Sequence, residues 1–519
     1  MLRAFPFGCA AWLAGGLALI PWAATAQPSN LPLTPFRIAV VDEATGRGVP
    51  LVELKTTHHV RYLSDSGGLI AFAEPGLLGQ RVFFAVHSHG YEFPKDGFGS
   101  VGVALDTRPG GSATLKLKRL NVAERRYRLT GAGCYRDTVL LGEKPPVREP
   151  LLNAQIVGQD SALAAIYQGR LHWFWGDTTP VKYPLGNFHT AGATSVLPAR
   201  GGLDPGAGVD FCYFTNAAGF SRAMAPLAGE GIVWLDGLLV VPDETGRERL
   251  VAHYSRMKDL GKRLEHGLVL WNDERAEFEK TRELPPAENW RCPQGHPVRV
   301  TENGREYFYS LLPDRAVRVA AELAAVLDPA RYEAFTCSAP KSATAGGTNQ
   351  LGRDADGRLA WSWRTDAEPM SQAAEKRLLE TGALPAADAR FQFRDTDTGQ
   401  PVTIHGGSVN WNPFRRKWIL IGVQQGGTSF LGEVWYAEAA SPVGPWGPAK
   451  KIVTHDQYSF YNPVQRPFFD QAGGRVIYFE GTYAQMFSGN PAATPWYDYN
   501  QILYRLDLAD PRLQAVRRD

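Results

Sequence analysis

Five carboxylates stand where short strands begin or end in this sequence: Asp160, Asp177, Glu230, Glu433 and Glu480. Two carboxyl groups facing each other across a small gap can break a glycosidic bond. One protonates the leaving oxygen, and the other activates water or attacks the sugar. Grouped carboxylates also push one another's pKa values apart, which separates acid from base near neutrality. Asp160 opens a strand and Asp177 closes the adjacent one, so the two are expected side by side. Taken singly, Asp177 in Gly176-Asp177-Thr178 reads equally as a turn residue bonding backbone amides. Glu433 beside Gly432 reads equally as a solvated strand end. Glu480 follows the apolar run 476–479, where a carboxylate is costly unless something pairs with it.

Sugar hydroxyls need polar partners, and the CH faces of the ring stack on aromatic side chains. Trp234, Arg256, His266, His296, His405, Asn462, Tyr483 and Gln501 occupy equivalent strand ends and are the expected substrate-binding set. A lyase would use the same positions differently, with His296 or His405 as base and Tyr483 or Tyr499 as acid. Arg256 or Arg466 would then neutralise a uronate. A third reading is a glycan-binding module without catalysis. His189, His253, His266, His296 and His405 show no H-x-x-x-H spacing, so nothing local specifies a metal. They leave open a divalent cation, such as calcium, in a central channel. No redox cofactor is expected.

The elements that must position these residues recur. From residue 121 onward, a strand beginning near a polar residue, a tight turn and an aromatic-rich second strand repeat five times. The units are 160–177, 231–271, 296–337, 407–436 and 463–504. Five such units predict an all-β, five-bladed β-propeller over residues 121–519, whose equivalent strand ends converge on one face. Two stretches, 315–327 and 371–379, carry a helical pattern and read as insertions. Short strands broken by turns before residue 120 predict a separate β-sandwich over 27–120.

The chain has 519 residues, 44% hydrophobic, 21% charged and 11% aromatic, with 54 Gly and 37 Pro. That composition excludes a disordered chain, a coiled coil and a polytopic membrane protein. A formal net charge of +2 without a basic run argues against a nucleic-acid groove. Arg3, the apolar stretch 10–20 and Ala24-Thr25-Ala26 read as a signal peptide over residues 1–26. The expected mature protein is therefore exported, periplasmic or extracellular, with no membrane anchor. An oligosaccharide or polysaccharide is its expected partner. Cys134, Cys212, Cys292 and Cys337 remain, and four cysteines allow three disulfide pairings or none.

Two resemblances add to this reading. The phrase from Asp42 to Pro50, leading to Asp65-Ser66-Gly67-Gly68, resembles the transthyretin-like modules of secreted bacterial enzymes. Gln159-Asp160-Ser161 with Trp173-Phe174-Trp175-Gly176-Asp177-Thr178 resembles the opening blade of five-bladed propeller glycoside hydrolases, the arabinanase-related and family-43-type propellers. Ser441-Pro442-Val443-Gly444-Pro445-Trp446 resembles a turn recurring in the latter. The chain also resembles a group of secreted proteins of environmental bacteria, which share Gly406-Gly407-Ser408-Val409-Asn410-Trp411 and Tyr461-Asn462-Pro463-Val464-Gln465 and bring no activity with them. The enzyme resemblance implies that Asp160 is a general base, with a further Asp and a Glu acid in later blades. The third unit departs from it by opening on His296, which leaves Glu230, Glu433 or Glu480 as the acid.

Overall fold

In Arg81–His87, Val82, Phe84 and Val86 are buried while their neighbours turn outward. This is the period of two that a half-buried strand requires. A computed structural model describes residues 33–184, 186–312, 315–339 and 351–516, so the leader read at 1–26 lies outside the described residues. Two four-stranded sheets come first. One runs in the order Leu69–Phe72, Phe36–Asp42, Ser112–Arg119 and Tyr91–Glu92; the other runs Arg61–Leu63, Glu53–Thr56, Arg81–His87 and Gly102–Asp106. Ile38, Phe72 and Leu117 from one and Leu54 and Phe84 from the other share a single apolar core.

Five larger sheets then follow along the chain, antiparallel except where Phe391–Asp395 pairs parallel with Trp446–Val453 in the fourth. The first holds Leu163–Tyr167, Arg170–Trp175, Ala191–Ser195 and Cys212–Tyr213, and the second Ile232–Pro242, Glu248–Met257, Arg263–Asn272 and Glu277–Glu283. The third begins with Val298–Glu302 and Arg305–Leu312, and the fourth with Ile404–Asn412 and Lys417–Gln424. The fifth holds Ser459–Gln465, Val476–Ala484 and Asn500–Asp507, and is completed by Glu124–Arg128 from ahead of the first sheet. The two ends of this region are thereby hydrogen-bonded together.

Apolar side chains fill the space between each sheet and the next. Phe174 packs with Val233 and Ala252, Val251 with Phe308 and Val319, and Tyr309 with Val409 and Leu420. Ile421 packs with Phe460 and Phe479, and the fifth sheet returns to the first through Tyr478, Leu503 and Trp173. The second strands of the first, fourth and fifth sheets are therefore largely covered on both faces. Val476–Ala484 is buried at every position, which is why its first four residues read as an unbroken apolar run.

Residues 315–327 depart from the helical pattern. Arg315–Ala320 is a strand, and only Leu323–Val326 is helical. Val317 and Val319 are β-branched and pair with Ser310 and Phe308 of the neighbouring strand, so sheet packing overrides the alanine-rich propensity. The second stretch forms a helix, Gln372–Glu380, capped by Ser371 Oγ, which accepts from Ala374 N at 3.1 Å. Among the described residues no helix is long and apolar enough to cross a membrane. Among the described residues Cys134, Cys212, Cys292 and Cys337 are all free thiols.

Candidate active site

The strand ends of all five sheets meet at a cavity of about 530 Å³, a volume within the range of small-molecule sites. Asp160 and Ser161 enter it ahead of the first strand, and Gly176 and Asp177 follow the second. The second sheet contributes Trp234 and Asp236, and the third contributes His296. His405 and Gly407 come from the fourth, and Tyr461, Asn462 and Tyr499 from the fifth. Phe174, Trp175, Phe430 and Phe487 complete aromatic walls, and Phe430 and Phe487 are exposed at the rim.

Asp160 Oδ2 accepts from the Tyr461 hydroxyl at 3.0 Å, and the Tyr499 hydroxyl bonds the same carboxylate. Its other oxygen, Oδ1, is buried without a partner. It lies so near the following strand end that a Cβ at Gly176 would come within 2.2 Å of it. Glycine at 176 is thus a condition for this placement of Asp160. Burial, and then the neighbouring charge of Asp177, push the Asp160 carboxyl up to about 7. Asp177 Oδ1 accepts from the Trp234 indole at 3.0 Å, and burial raises its carboxyl too.

Asp236 sits in the middle of the strand Ile232–Pro242, at an irregularity where the register slips before Leu239. Gly237 makes that bulge: its φ is +58°, and a Cβ there would meet the Pro293 backbone at 2.2 Å. The Gly237 and Gly295 amides both donate to Asp236 Oδ1 at 2.8 Å. Burial nevertheless pushes this carboxyl up to about 7. Burial, aided by the charge of Arg466, drives His296 down to about 3, so its ring stays neutral. Ser161, Thr190, Asn462, Phe487 and Tyr499 line the cavity in left-handed backbone conformations. Strain of this kind persists where the surrounding structure enforces a geometry.

Six of the thirteen residues expected from sequence line this cavity: Asp160, Asp177, Trp234, His296, His405 and Asn462. The other seven lie elsewhere. Glu480 is buried and ion-paired with Arg466, whose Nε donates to it at 2.7 Å while Nη2 donates to Ala162 O at 2.8 Å. Glu433 is buried among Thr428 and Thr454, and Glu230 is exposed. Arg256 pairs with Glu265, and His266 bonds His253 within the second sheet. The Tyr483 hydroxyl meets His89 Nε2 at 2.9 Å, against the N-terminal sheets. Gln501 Nε2 donates to Thr482 Oγ1 at 2.8 Å. The carboxylate that sequence reasoning passed over is Asp236. Its signal was an Asp-Gly inside an apolar strand, the same anomaly that drew notice to Glu480.

No protein-family model matches the chain, and no curated protein does. Solved structures that resemble it include an exo-β-1,3-galactanase from Phanerochaete chrysosporium with galactose. It is 10% identical with a TM-score of 0.34, and the match covers 68% of this chain and 61% of that one. This chain thus spans about three fifths of that protein. A putative exo-β-1,3-galactanase from Bifidobacterium bifidum is 10% identical, with a TM-score of 0.34 and coverage of 75% and 94%. An α-L-arabinofuranosidase from Fusarium graminearum is 11% identical, with a TM-score of 0.33 and coverage of 75% and 99%. Likeness of this size carries no correspondence of residues.

Proposed function

We propose that this chain is an exported glycoside hydrolase acting on a neutral glycan. Its five sheets are read as the blades of one β-propeller over residues 121–519, and the two N-terminal sheets as an attached β-sandwich over 27–120. The leader read at 1–26 would deliver it to the periplasm or beyond. The observation that carries the reading is the convergence of Asp160, Asp177 and Asp236 on one aromatic-walled cavity. Two of these carboxyls are poised near neutrality, where proton transfer in either direction is efficient.

In this reading Asp160 is the base. The two tyrosine hydroxyls that donate to it favour its ionised form and aim the remaining lone pairs. Asp236 is the acid that protonates the leaving oxygen. Asp177, fixed by Trp234, holds the Asp160 proton affinity high through its charge. Neutral His296 and the Asn462 amide are placed to bond sugar hydroxyls, and the rim rings to stack on sugar faces.

The lyase reading lacks its cation. Among the described lining residues there is no Arg or Lys, while Arg256 and Arg466 are both committed to glutamates. Three carboxylates around such a cavity repel a uronate. The purified protein is to be incubated with a panel of plant and algal polysaccharides. New reducing ends support hydrolysis, an unsaturated uronate product supports a lyase, and retention without product supports a binding module.

A further inference from the structure

A second cluster lies behind Asp236. His253 and His266 sit on adjacent strands, His253 opposite Leu268 and His266 opposite Ser255, so both rings project from the same face of the second sheet. Cys292 reaches them from the loop that leads to the third sheet. All three are buried, and their donor atoms lie within 4.8 Å of one another. We propose that His253, His266 and Cys292 form a zinc-binding site that fastens this loop to the second sheet.

The geometry supports a tetrahedral ion. Zn–N bonds of about 2.0–2.1 Å and a Zn–S bond of about 2.3 Å require N···N edges of about 3.4 Å and N···S edges of about 3.6 Å. His253 Nε2 and His266 Nδ1 are 3.2 Å apart, so only the thiol has to close in, by no more than about 1.2 Å. His266 Nε2 lies 2.8 Å from Pro285 O. That bond places its proton on Nε2 and turns the Nδ1 lone pair inward, the outer-shell arrangement that orients metal-bound histidines. On binding, a zinc–sulfur bond replaces the Cys292 S–H bond and the thiol proton is released. The His253 proton moves from Nε2 to Nδ1, freeing Nε2 for the ion. Two imidazoles and a thiolate suit zinc, whereas calcium takes oxygen donors. This site is separate from the channel cation expected from sequence, and it stands whether or not the cavity hydrolyses glycans.

Its position gives it a consequence. The loop held by Cys292 carries Gly295, whose amide bonds Asp236, and His296, which lines the cavity. An ion here would therefore stiffen one wall of the cavity from behind.

The test uses the full chain, freed of metal with a chelator and titrated with cobalt(II), which reports its ligands by colour. The expected result is one equivalent bound, with a thiolate-to-cobalt charge-transfer band in the near ultraviolet and the intense visible bands of a four-coordinate site. Zinc should displace the cobalt and raise the melting temperature. Cys292→Ser should remove the charge-transfer band, while Cys212→Ser at the exposed thiol should leave it. Should Cys292→Ser not fold, native mass spectrometry of the wild-type chain gives the answer, because one zinc should stay bound to each folded chain. No charge-transfer band, a band that survives Cys292→Ser, or no zinc retained on the folded chain in the native mass spectrum would each overturn the proposal.

Discussion

Asp160 differs from Glu480 in what burial has done to it, though both are carboxylates drawn into apolar surroundings. Glu480 found a guanidinium, whereas Asp160 found two phenols and a second carboxylate. The consequences can be separated by measurement. Asp160→Asn and Asp236→Asn should each lower kcat/KM by about 10²–10⁴-fold, checked by initial rates on whichever glycan is cleaved. Glu480→Gln should leave turnover per folded molecule near normal but cost about 3–5 kcal/mol of stability, because Arg466 would remain buried without its counter-charge. The Asp160 effect carries a sign in pH. Its folded carboxyl titrates near 7, above the usual carboxylate range, so its stabilising contribution is complete at low pH and lost as pH rises through 7. Unfolding free energies should accordingly show Asp160→Asn gaining on wild type between about pH 4 and 7, by up to about 1.4 kcal/mol per pH unit, and levelling off above 7. Asp177, Tyr461 and Tyr499 face Asp160 and are present in both proteins, so the difference reports Asp160 together with its coupling to Asp177. Asp160 and Asp177 were legible because each stands beside a strand end in sequence. Asp236 was not, because a bulge inside a strand turned it toward the cavity.

Turns and bulges decide what the strands deliver. Gly176 lets Asp160 Oδ1 approach the turn that carries Asp177, and no side chain fits between them. Gly176→Ala should displace the Asp160 carboxylate, and a misplacement of about 1 Å costs on the order of 10²-fold in rate. A crystal structure of that variant, with kinetics, checks whether the carboxylate has moved and the rate has fallen together. The strands themselves were mostly readable from aromatic and β-branched runs. Arg315–Ala320 was read as helix because its alanines and arginines suit one, and only pairing with Arg305–Leu312 settles it as strand. Glu230, Arg256 and Tyr483 were placed at strand ends correctly in sequence, but those ends face solvent, a glutamate and the N-terminal sheets. Which end of a strand points to a cavity is set by tertiary packing and leaves no local trace.

The molecule's two parts are locked by buried polar contacts. Arg125 Nε donates to Pro50 O at 3.0 Å, and its Nη1 donates to His89 O at 3.1 Å. The Tyr497 hydroxyl donates to Ser64 O at 2.6 Å. Calorimetry of the wild type should therefore give a single transition, while Arg125→Ala, by stranding buried carbonyls at about 1–3 kcal/mol each, should lower the midpoint or split it. The repeat of five units was visible in sequence. The closing of the fifth sheet by Glu124–Arg128 was not, since that strand lies far from its partner along the chain. The strand ends of all five sheets meet at one ligand-sized cavity, and the first two sheets present to it the three aspartates proposed to be catalytic. The most direct measurement of that role is release of reducing ends from the polysaccharide panel by wild type and by Asp160→Asn, at matched folded concentration and neutral pH. Wild type should release them from a neutral glycan, and Asp160→Asn should retain binding to that glycan while losing most of the turnover. No release from any neutral glycan, or equal release by Asp160→Asn, would contradict the account.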